Sequence, residues 1–196
     1  MNLATLASRT GVSVPALIAI RTVESGGNPR AVRFETRVFR ERTGRTVEGH
    51  DRAAFERAYE INPLEAVNST SWGWYQVMGF HGFPALYGGP AQAVRAFDAD
   101  PGGVGIRLFE LWMSRPSADV AKRAAARLDF ARFAAAYNGC SLEPGASHPC
   151  TTYETRMRRA YEAALASGEG ASTGLGLGAI ALGVAAGYAV WRMVRR

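Results

Sequence analysis

The sequence predicts an all-α, mainly helical fold: one domain over residues 1–166, a short linker over 167–173, and one C-terminal transmembrane helix over 174–194. Three observations lead there. Apolar residues recur at helical spacing between capping residues and glycine stops. No stretch alternates apolar and polar side chains as a half-buried strand would. No charged residue occurs from Gly170 to Trp191. The chain has 196 residues, 47% hydrophobic and 20% charged, which is enough for one buried core and too short for two ordinary ones. Disorder and collagen-like repeats are excluded, and no internal repeat is visible.

The elements follow in chain order. Asn2 caps a short helix carrying Leu3 and Leu6, which Gly11 ends. Ser13 caps a second, with Pro15 in its first turn and Leu17, Ile20 and Glu24 on one face; Gly26 and Gly27 stop it. Asp51 opens a helix bearing Phe55 and Tyr59, and Pro63 starts another. Ile106, Phe109 and Met113 mark an apolar helix, Ser117 caps the next, and Asp129 caps a helix from Phe130 to Tyr137. Thr151 and Glu154 form a capping-box pattern ahead of Tyr153, Met157, Ala160 and Ala164.

The uncharged run near the C-terminus is about as long as the roughly 20 residues that cross a bilayer. Tyr188 and Trp191 stand at its rim, and Arg192, Arg195 and Arg196 follow, which places the C-terminus on the cytoplasmic side. Gly174 and Gly178, then Gly183 and Gly187, are each four apart and form ridges suited to helix–helix association, Gly183 and Gly187 above all. The first twenty residues lack a basic segment and a small-residue cleavage pattern, which speaks against a secretory leader.

The net charge of +6 favours an anionic partner. No helix-turn-helix, zinc or aromatic-basic module is legible, so nucleic acid is not the expected one. Cys140 and Cys150 are either a disulfide closing a short loop, which implies an oxidising compartment, or two free thiols. A zinc site built on Cys140, His148 and Cys150 lacks a fourth ligand, and neither metal nor cofactor is expected.

Glu24 carries the chemistry. A carboxylate at a helix end, on the face of Leu17 and Ile20, is partly desolvated, which raises its pKa and suits a general acid. Three segments keep it company in order. They are Val23-Glu24-Ser25-Gly26-Gly27-Asn28-Pro29, then Ser71-Trp72-Gly73-Trp74-Tyr75-Gln76-Val77-Met78, then Ala136-Tyr137-Asn138-Gly139. With Arg33-Phe34-Glu35-Thr36-Arg37-Val38-Phe39 and the continuation Gly79-Phe80-His81, they resemble the phage endolysins of the N-acetylmuramidase family in the lysozyme-like superfamily. The first segment is also similar to lytic transglycosylases.

The resemblance runs from about Pro15 to Ala164 and implies an α+β lysozyme-like domain that cleaves peptidoglycan between N-acetylmuramic acid and N-acetylglucosamine. It assigns Glu24 as the acid, with Glu35 as the best second carboxylate and Asp51 and Glu41 behind it. Ser71, Tyr75, Gln76, Tyr137 and Asn138 would bind the glycan, with Trp72 and Trp74 offering aromatic faces, although Trp72 is expected to be buried. Arg37, His81 and Cys140 stand where the family pattern has His, Asn and Pro. His50, His81 and His148 each read as surface or loop residues. Hydrolysis needs a second carboxylate and transglycosylation does not, so both reactions stay open, as does a catalytically idle wall-binding protein on the same fold. The expected location is a membrane, held by the single C-terminal helix with the domain facing the cell wall, or the membrane of a virion.

Overall fold

In a computed structural model, residues 2–143 and 145–168 are described, and among them eleven α-helices surround a three-stranded antiparallel sheet. Helix α1 (Leu3–Thr10) starts where Asn2 Oδ1 accepts the Thr5 amide at 2.9 Å and ends on left-handed Gly11. Helix α2 (Val14–Ser25) starts at Ser13 with Pro15 in its first turn, and ends on left-handed Gly26. Six of its residues, Ala16 to Ile20 and Val23, are buried, so it is a core column rather than a surface helix.

The chain then forms β1 (Val32–Phe34), α3 (Thr36–Thr43), α4 (Arg52–Ile61) and α5 (Pro63–Asn68). Asp51 and Asn62 cap α4 and α5. Strands β2 (Thr70–Trp72) and β3 (Val77–Met78) complete the sheet in the order β1-β2-β3, with Val32 opposite Trp72 and Ser71 opposite Met78. The rest is helical: α6 (Phe83–Leu86), α7 (Pro90–Ala99), α8 (Pro101–Met113), α9 (Asp119–Ala126), α10 (Phe130–Asn138) and α11 (Thr151–Ala166). Helix α11 lies along α2, which joins the last described helix to one of the first.

Trp72 anchors the core under the sheet. Its ring is fully buried and meets Phe55, Phe83 and Phe97 edge-on at centroid distances of 5.1, 5.1 and 4.9 Å. Its Nε1 donates to the Val67 carbonyl at 3.1 Å, so the indole is buried without an orphaned donor. The turn after β3 crosses the end of α5 so closely that a Cβ at Gly79 would collide with the Val67 carbonyl oxygen.

Several expectations need correction. The strands escaped the sequence reading because none exceeds three residues and β2 is buried at every position, which erases alternation. Helices α3, α6 and α7 were not expected. Ser117 caps nothing: it sits inside a 3-10 turn, Pro116–Ala118, and α9 begins after Ala118 without a side-chain cap. Thr151 is the first residue of α11 rather than its cap, because Cys150 precedes the helix and makes no capping bond. The expected span, 174–194, lies outside the described residues, as does the linker beyond Gly168. Among the described residues no single helix is long and apolar enough to cross a membrane.

Candidate active site

Glu24 occupies the last turn of α2, whose stop at Gly26 lets the chain swing toward β1. Its Oε1 accepts the Tyr153 hydroxyl at 2.5 Å and lies 3.5 Å from Asn138 Nδ2. Tyr153 comes from the first turn of α11 and Asn138 from the end of α10, so two helices converge on one carboxyl. A guanidinium nitrogen of Arg156 donates to the Val23 carbonyl at 2.7 Å and fixes the backbone beside it.

The carboxyl faces a cleft of about 300 Å³. Opposite the helical wall, the sheet and its flanks supply Arg33, Glu35, Ser71, Gln76, Met78 and His81, while Trp112, Tyr137 and Asn138 line the helical side. Of the predicted site residues, Glu24, Glu35, Ser71, Gln76, Tyr137 and Asn138 thus share one concavity. Glu35 sits just before α3 with its Oε1 3.2 Å from Arg33 Nε. Gln76 holds a left-handed backbone, φ 49°, a conformation that a side chain other than glycine adopts only under local constraint. Its Nε2 donates to the Gly73 carbonyl at 2.9 Å, which orients the amide. Ser71 Oγ donates to Met78 Sδ at 3.1 Å.

Burial pushes the Glu24 carboxyl above the usual carboxylate range, and this outweighs the opposing hydrogen bonds from Tyr153 and Asn138 and the charges of Arg156 and Arg33. Burial and the neighbouring Glu24 raise the Tyr153 hydroxyl, and the same two causes with Tyr75 raise Tyr137, so both phenols stay protonated donors. Tyr137 gives its proton to the Tyr75 carbonyl, and its ring stacks on Phe133 and meets Trp112 edge-on. His81 is lowered to about 4 by burial and by Arg115, and its buried Nδ1 has no partner among the described residues. It is therefore a neutral imidazole at physiological pH.

The aromatic run is placed differently from the expectation. Tyr75 does not line the cleft: its side chain is fully buried and stacks on Phe109 at 4.1 Å. Trp74 turns away as well, with Nε1 donating to the Gly27 carbonyl at 2.9 Å and Arg21 over its ring. The tight turn between β2 and β3 drives these rings into the core or onto α2, and leaves Trp112 and Tyr137 as the aromatic surfaces of the cleft. His81, read from the sequence as a surface or loop residue, lines the cleft. His50 instead lies with Nδ1 2.9 Å from the Phe34 carbonyl oxygen, and His148 is in the loop before Cys150.

Cys140 and Cys150 are joined, with Cα atoms 5.2 Å apart. A cross-link over so short a loop stabilises by about 3 kcal/mol in the chain-entropy model. It ties the segment after Asn138 to the residue that precedes α11, and Tyr153 packs against it. Sequence reasoning missed Tyr153, Arg156 and Trp112. Nothing local marks Tyr153, because its partner lies 129 residues away.

The model of one protein family, described as Muramidase: N-acetylmuramidase, matches residues 38–165. The match begins after Glu24 and Glu35 and takes in Ser71, Gln76, Tyr137 and Asn138. Among solved structures the chain is similar to the crystal structure of Burkholderia AP3 phage endolysin, with 22% sequence identity and a TM-score of 0.59, over 84% of this chain and 70% of that one. At that identity the likeness speaks for the fold alone. No match was found among curated proteins.

Proposed function

The chain belongs to the N-acetylmuramidase family and is a glycoside hydrolase of the lysozyme type, and on that premise we propose that Glu24 is the general acid with which it cleaves peptidoglycan. The observation that carries the proposal is the setting of Glu24: a desolvated carboxyl at a cleft wall, held by two neutral donors. Burial favours the protonated carboxyl, and the Tyr153 and Asn138 bonds aim the group. The glycan strand lies along the cleft, and Glu24 protonates the oxygen leaving between N-acetylmuramic acid and N-acetylglucosamine.

Glu35, in the same cleft, serves as the second carboxylate, and Ser71, Gln76, Tyr137 and Asn138 contact the sugars. Mass spectrometry of digested wall tests the reaction: reducing ends are expected. 1,6-Anhydro ends would make the enzyme a lytic transglycosylase, in which the substrate's own hydroxyl closes on the anomeric carbon and Glu35 is dispensable. The engagement of Glu35 by Arg33 is the observation on that side.

Residues 1–166 form the catalytic unit, and 167–173 link it to a membrane helix over 174–194, supported by the uncharged run and its arginine-rich end. The enzyme is a phage product anchored with its domain toward the wall, and Gly183 and Gly187 provide a surface for helix pairing. A chain ending at Gly170 should digest purified wall and leave the membrane fraction. A full-length protein that stays soluble at low and high salt would remove the anchor.

A further inference from the structure

A groove of about 520 Å³, larger than the cleft, runs between α9 and α10. It is apolar along Val120, Ala136 and Leu142 and cationic along Arg123, Arg127 and Arg132. Val120 and Leu142 are about half exposed, at 47% and 54%, and nothing covers them among the described residues. Two of the arginines make only long ion pairs, Arg123 to Asp119 at 3.7 Å and Arg132 to Asp129 at 3.9 Å, and Arg127 makes no ion pair among the described residues. Asp129, the one carboxylate in the lining, is already engaged: its Oδ1 accepts the Arg132 amide at 3.1 Å and caps α10. The groove therefore presents net positive charge around methyl groups.

Its position gives it a ligand. Ala136 lines the groove, whereas the next two residues of α10, Tyr137 and Asn138, line the cleft. One helix, about 10 Å across, separates the two. A peptidoglycan strand lying in the cleft carries short peptides with free carboxylates and alanine methyls. Four extended residues reach about 13 Å, enough to pass the end of that helix. We infer that the α9–α10 groove binds the acidic stem peptide of the strand being cut, which makes the enzyme selective for peptide-bearing wall. A concave trough between two helices suits an extended peptide, whereas a bilayer surface cannot enter it. The inference rests on peptidoglycan being the substrate proposed above.

The test uses the full-length chain, the double variant Arg127→Gln/Arg132→Gln, and three probes: free stem tetrapeptide, intact wall, and strands stripped of peptide by an amidase. Calorimetric titration should show saturable tetrapeptide binding that weakens with salt and falls about tenfold in the variant. Cleavage of intact wall should slow by a similar factor through KM, with kcat, melting temperature and cleavage of stripped strands unchanged. Absence of tetrapeptide binding, equal binding by the variant, or an equal loss on stripped strands would each overturn the inference. So would a variant that keeps its affinity for tetrapeptide and loses binding to anionic vesicles. Should the wild type cleave neither substrate, the muramidase reading fails, and the tetrapeptide titration still decides the groove.

Discussion

Glu24 enters the cleft from the helical wall and Glu35 from the sheet wall, and the two carboxylates meet different chemistry. Glu24 ends a buried helix and is held by neutral donors, Tyr153 and Asn138, so desolvation dominates its protonation. Glu35 opens α3, and its nearest charge is Arg33, whose side chain is 65% exposed. Glu35 itself is partly exposed, with that guanidinium beside it. On the proposed reading Glu24 donates the proton and Glu35 serves as the second carboxylate, which is the division of roles that glycoside cleavage with two carboxylates requires.

The largest expected effect breaks the helical side. Glu24→Gln keeps the shape and cannot protonate the leaving oxygen, so wall cleavage should fall by about 10²- to 10⁴-fold, measured as reducing ends released per minute. Retention of more than a few per cent of activity with an unchanged melting curve would show that the acid lies elsewhere. Glu35→Gln tests the sheet side and should cost about 10²-fold if the enzyme hydrolyses. A variant at wild-type rate that yields 1,6-anhydro ends would leave Glu24 working alone.

Tyr153→Phe sharpens the contrast and should slow cleavage by roughly tenfold. The Tyr153 bond favours the charged carboxylate, so its removal raises the Glu24 pKa further and should move the alkaline limb of the pH–rate profile upward. A merely structural tyrosine would lower the rate and leave that limb in place. The smallest effect is on stability. A carboxyl whose folded pKa is raised makes the native state bind protons more tightly than the unfolded one, so stability falls as pH rises from 4.5, its ordinary value, through the folded value. Glu24→Gln should therefore melt above wild type at pH 7, with the advantage gone below pH 4.5. Identical melting curves at both pH values would contradict the burial of the charge.

What the sequence disclosed was local. Asn2, Ser13, Asp51 and Asp129 each cap a helix by accepting an amide three residues on, an interaction written within one turn of chain. Glu24 stood out through the three segments that accompany it, since a glutamate at a helix end is by itself ordinary. The sheet was not, since Val32 pairs with Trp72 across forty residues that carry no mark of the pairing. Tyr75 was assigned to the sugar because an aromatic reads the same facing a cleft or a core, and only the turn geometry divides the two. Tyr153 shows the limit: a phenol 129 residues from its carboxyl becomes part of the site only through the packing of α11 on α2.

That packing also gives the enzyme a timetable. Glu24 is synthesised ahead of both its partners, since Asn138 and Tyr153 follow 114 and 129 residues behind. Until α10 and α11 have emerged, α2 lacks the helix it packs against most and the carboxyl lacks both donors. A nascent chain at that stage carries the proposed acid without the partners that hold it. On the proposed assignment the site is complete only once α11 has been made, so an unfinished copy that lacks this helix lacks a donor that holds Glu24.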